Sequence, residues 1–75
     1  MNGEYISAEL AERTQYDEIR DAYDSNDLSV IVYDGVWCFE GVVDGKIREL
    51  VKEEMERLYP QYTYIYYLPY RKERL

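Results

Sequence analysis

Carboxylates crowd the first third of the chain, at Glu9, Glu12, Asp17, Glu18, Asp21, Asp24 and Asp27. Paired carboxylates can do acid–base work or hold hard cations, so this cluster is the first place to look for chemistry. The rest of the composition argues against both. Sixteen of the 75 residues are acidic, so close carboxylate pairs arise without selection for a site, and no His is present. Without His there is no ordinary Ser–His or Cys–His nucleophile and no imidazole that titrates near neutral pH. Gly3, Gly35, Gly41 and Gly45 form neither a GxGxxG loop nor a Walker A loop. Asp24 to Asp27, DSND, lacks the spaced Gly and the terminal Glu of a calcium loop. Cys38 is the single cysteine and sits in an apolar run, as a small buried hydrophobe does. The expectation is a protein that is not an enzyme and uses no metal or cofactor.

A second reading of the acidic stretch is electrostatic. On a helix, Asp17, Asp21 and Asp24 would lie roughly 5–6 Å apart along one face, near the spacing of phosphates along a nucleic-acid strand. Like charges at that spacing cost about 0.2–0.5 kcal/mol per pair, so a structural helix gains nothing from them. Glu9–Arg13, Arg13–Asp17 and Arg20–Asp24, each four apart, soften that cost. The charge is uneven: residues 1–44 carry 11 acidic and 2 basic residues, residues 45–75 carry 5 acidic and 7 basic. The net charge of −7 repels phosphate backbones, so direct nucleic-acid binding is not expected.

The other unusual feature is the tyrosine-rich end, YTYIYYLPYRKERL. In a strand, Tyr62, Tyr64, Tyr66, Leu68 and Tyr70 share one face, and Thr63, Ile65, Tyr67 and Pro69 the other. Exposed tyrosines mark binding surfaces and supply interface anchors. With Arg71, Lys72 and Arg74 they could also stack single-stranded nucleic acid, a reading that the acidic remainder of the chain opposes.

These residues must be placed by a single small domain, since no Pro/Gly/Ser-rich linker or repeat divides the chain. Residues 7–24 read as a helix with Ser7 as N-cap, and a break is possible where its apolar stripe thins at Thr14 and Gln15. Residues 28–33 and 36–43 read as strands joined by the hairpin signal Asp34-Gly35, with Gly41 a bulge or close approach. Asp44 caps a helix over 45–59, with Ile47, Leu50, Val51, Met55 and Leu58 on one stripe and Pro60 as its stop. Glu53–Arg57 and Lys52–Glu56 are opposite charges four apart on it. Residues 61–68 form the last strand.

The order α-β-β-α-β predicts an α+β fold. It has a three-stranded mixed sheet with both helices on one face, and a right-handed crossover sets the last strand beside the first. A short strand at 4–6 would instead give a ferredoxin-like β-α-β-β-α-β arrangement. The N-terminus has neither the basic nor the apolar region of a secretory signal, and no apolar run is long enough to span a membrane, so a cytoplasmic protein is expected.

In size, charge and lack of catalytic residues the chain resembles the small acidic α+β inhibitors of phages and mobile elements, including anti-CRISPR and DNA-mimic proteins. The resemblance includes no motif and carries no residue over. It implies a host protein, itself nucleic-acid-binding, as partner. Glu9, Glu12, Asp17, Asp21, Asp24 and Asp27 would oppose that partner's cations, with Tyr64, Tyr66 and Tyr70 as anchors. The alternatives are a homodimer or interaction module paired through its tyrosine faces, and a single-stranded nucleic-acid binder using the C-terminal strand.

Overall fold

The computed structural model describes residues 3–41 and 43–65. Its elements run β1 (Glu4–Tyr5), α1 (Ser7–Arg13), α2 (Asp17–Asp24), β2 (Val30–Tyr33), β3 (Val36–Phe39), α3 (Gly45–Leu58) and β4 (Thr63–Tyr64). The α+β class is as expected, but the described sheet has four strands, in the order β1-β2-β3-β4. The first two pairings are antiparallel and β3–β4 is parallel.

The hairpin forms where the sequence signal places it. Asp34 and Gly35 both adopt positive φ, 43° and 84°, the conformation whose twist matches that of the flanking strands. The expected strands 28–33 and 36–43 shorten to four residues each, although Glu40 N still donates to Ser29 O at 2.9 Å.

Two expectations about the sheet change. The last strand lies parallel to the second hairpin strand, as expected, but beside it rather than beside the first. The reason is occupancy. β1 already holds the outer edge of β2 (Glu4 opposite Val32, Tyr5 opposite Ile31), which leaves the β3 edge open. There Thr63 N donates to Gly35 O and Ile65 N to Trp37 O, both at 2.9 Å. The short N-terminal strand of the ferredoxin-like alternative thus exists, but at the sheet's edge, so that strand order is not adopted. Of the strand expected over 61–68, Thr63–Tyr64 is seen, and 66–68 lies outside the described residues.

Ser7 is not a helix cap. Ile6 holds the N-cap position, and Ser7 begins the helix with its side chain buried. Ile6 N donates to Val30 O at 3.0 Å, and Val30 N donates to Ser7 Oγ at 2.8 Å. The hydroxyl therefore stands in for the next carbonyl of a ladder that β1 is too short to continue. Asp44 does cap α3, accepting from Lys46 N at 3.0 Å. That helix ends at Leu58, with Tyr59 as its C-cap.

All three helices cover one face of the sheet. Leu10 of α1, Ile19 and Ala22 of α2, and Val51 and Met55 of α3 join Val30, Val32, Trp37 and Phe39 in one buried cluster. The opposite face is not open at its centre, since Ile31 and Cys38 are 5% and 1% exposed. The backbone at Gly3 crosses closely there, so that a Cβ would come within 2.5 Å of Ile31 Cδ1.

Replacing Ser7 with Ala leaves the buried Val30 amide without its acceptor, at an expected loss of about 1–3 kcal/mol. Urea denaturation of the S7A variant measures it, and an unchanged midpoint would contradict the assigned role.

Candidate functional site

The chain expected as one helix over 7–24 is two, divided at residues 14–16, and the divider is a carboxylate on α3. Glu54 is fully buried. Its Oε1 accepts from Thr14 Oγ1 at 2.8 Å, from the Gln15 amide at 3.0 Å and from Arg57 Nη2 at 2.9 Å. Its Oε2 accepts from Arg57 Nε at 2.9 Å and from Gln15 Nε2 at 3.3 Å. The rest of the break is equally well paired. Thr14 N closes α1 on Leu10 O at 2.9 Å, and Tyr16 N donates to Thr14 Oγ1 at 3.1 Å. Arg20 Nη1 donates to Thr14 O at 2.8 Å while its other nitrogen pairs with Asp17. Neither Gly nor Pro is needed, because the buried carboxylate takes the amide that a continuous helix would have bonded internally.

Two further contacts tie α3 to the helices before it. The Tyr16 hydroxyl donates to Glu53 Oε2 at 2.6 Å, and the Arg13 guanidinium lies over the Tyr59 ring at 5.1 Å. The pairs expected four residues apart on α3 give way to pairs three apart, Glu54–Arg57 and Glu49–Lys52. Glu9–Arg13 forms at 3.7 Å, whereas Arg20 takes Asp17 rather than Asp24.

This clasp sets out the acidic surface. Glu9 and Glu12 on α1, Asp17, Asp21 and Asp24 on α2, and Asp27 just beyond are all exposed. They do not form one row, because the break separates the two α1 carboxylates from the α2 set. Asp17, Asp21 and Asp24 do share a face, opposite the buried Ile19. Glu12, Asp21, Asp24 and Asp27 form no ion pair among the described residues.

Of the three expected anchors, Tyr66 and Tyr70 lie outside the described residues. Tyr64 is half-buried and faces the core. Its ring meets Trp37 at 4.6 Å and Phe39 at 6.0 Å, and Lys52 Nζ stands 5.2 Å over it. Tyr62 stacks on Tyr59 at 5.9 Å. Between α3 and β4 runs a groove of about 690 Å³, with Trp37, Tyr62 and Tyr64 on one side and α3 carboxylates on the other.

Sequence reasoning passed over Glu54, yet a signal was present. It sits three after Val51, four after Leu50 and four before Leu58, inside the apolar stripe of α3. A carboxylate there must be buried with partners or break the helix.

Among the described residues, no group of three or more Asp, Glu, Cys or His side chains could hold a metal, and no helix is long and apolar enough to cross a membrane. Burial pushes the Cys38 thiol pKa up, and the Glu40 charge adds to the shift.

The Arg57 guanidinium holds the Glu54 carboxyl down at about 2, and the Thr14 and Gln15 donors add to the effect against the opposing pull of burial. The unfolded chain takes up this proton near the ordinary carboxylate value, before the folded one does. The stabilisation is therefore complete above about pH 4.5 and is lost as pH falls towards about 2. Replacing Glu54 with Gln should cost about 2–4 kcal/mol at neutral pH and flatten the fall in urea midpoint across that acid window. Parallel pH profiles for the two proteins would contradict it. Comparison of the chain with protein-family models, with curated proteins and with solved structures finds no match.

Proposed function

We propose that this protein is a non-enzymatic inhibitor that binds another protein and occupies its nucleic-acid-binding surface, in the manner of the small acidic proteins that phages and mobile elements direct against host defence. The observation that carries the reading is the row Asp17, Asp21, Asp24 on the solvent side of α2, with Asp27 exposed just beyond the helix and Glu9 and Glu12 exposed on α1. The helical rise sets neighbours in the row roughly 4.5–6 Å apart along the axis. Such a row presents fixed negative charge to a channel built for phosphates, and its side chains satisfy little of one another. The partner is thus a basic host protein met in the cytoplasm, with complementarity of charge setting the encounter rate and the register.

The alternative of base stacking on the tyrosine strand has less support. The Tyr64 ring is already engaged by Trp37 and by Lys52.

The test is capture from a bacterial host lysate by the wild-type chain and by a variant carrying Asp17→Lys, Asp21→Lys and Asp24→Lys. The retained partner should be released by duplex DNA and by added salt, and the variant should bind it at least about tenfold more weakly. Equal capture by the variant, or a complex that binds DNA as well, would refute the proposal.

A further inference from the structure

A second feature, the groove between α3 and β4, does not depend on the α2 row. Its α3 wall carries Glu49, Glu53 and Glu56, spaced four and three apart and therefore aligned on one side of the helix over roughly 10 Å. Its other wall is aromatic, formed by Tyr62 and Tyr64 over Trp37. The groove already shows which chemistry suits it. Lys52 Nζ lies 5.2 Å over the Tyr64 ring and 3.8 Å from Glu49 Oε2, a cation held between a ring face and a carboxylate. Glu56 is exposed, and among the described residues neither it nor Glu53, which accepts from a tyrosine hydroxyl, forms an ion pair. Among the described residues, one ion pair, Lys52 with Glu49, therefore serves the three carboxylates.

From this arrangement we infer that the groove is a docking site for an arginine-bearing segment of a partner protein, with the guanidinium lying against Tyr62 and donating to Glu53 and Glu56, the Tyr64 ring being already engaged by Trp37 and Lys52. Arginine suits the site better than lysine, because its planar fork can stack on a ring and meet a carboxylate at once. Anionic ligands are repelled by the α3 wall, and a purely apolar segment would strip water from its carboxylates without pairing them.

The test is an NMR titration of the full chain with a blocked Arg-Gly-Arg peptide and with its citrulline counterpart, which keeps the shape and removes the charge. The expected result is shifts at Lys52, Glu56, Tyr62 and Thr63, binding about tenfold weaker for citrulline, and a similar loss in a variant carrying Glu53→Gln and Glu56→Gln. Equal affinity for the two peptides, or shifts confined to Asp17, Asp21 and Asp24, would overturn the inference. The second of those results would leave the α2 reading intact. A full-length variant carrying Arg71→Ser, Lys72→Ser and Arg74→Ser checks the chain's own cations as occupant. If it alone moves the groove resonances without peptide, the chain fills its own groove and the inference fails.

Discussion

A single carboxylate, buried on the wrong face of its helix, sets the arrangement of the helical layer. Glu54 cannot be ionised in an apolar core unless donors surround it, and the isolated charge would cost several kcal/mol. α3 itself supplies only Arg57. The remaining donors come from Thr14 and Gln15, and the Gln15 amide is available only if the chain leaves helical geometry there. The need runs both ways, because the amides freed by the break must find acceptors of their own. Two local deficits thus cancel at one contact, which fixes where α1 ends and α2 begins.

The surface chemistry follows from that geometry. With Ile19 and Ala22 turned to the core, Asp17, Asp21 and Asp24 have nowhere to point but outward. Tyr16 bridges to Glu53, so the acidic surface of α2 connects to the carboxylates of α3. The mutual repulsion of these groups is a standing cost in a domain with little stability to spare. Carboxylates repelled by one another and exposed to water are available to an outside cation, which is the physical basis of the functional reading.

Much of the fold was legible in the sequence where local chemistry decides it. Asp34-Gly35 specified its turn through positive φ, and Asp44 specified its cap. The thinning of the apolar stripe at Thr14 marked the break. What was not legible depended on partners distant in sequence. Ser7 is a good cap by residue type, but the Val30 amide claims its hydroxyl. The place of the last strand turned on whether two residues at the N-terminus would pair with β2, which no periodicity over so short a stretch can tell. Arg57 does not pair with Glu53, four residues before it, because the buried Glu54 engages its guanidinium. The acidic site residues could be read as exposed from their pattern, whereas Tyr64 proved to be shared between core and groove.

Amide hydrogen exchange at Gln15 tests the central claim most directly. This residue is exposed, lies between two helices and belongs to no regular element, so an unclasped backbone there would exchange within the time of local fraying. With its amide held by the buried carboxylate of Glu54, it should instead exchange as slowly as the amides of α3, through global unfolding alone. Rapid exchange at Gln15 beside protected neighbours in α3 would contradict the account.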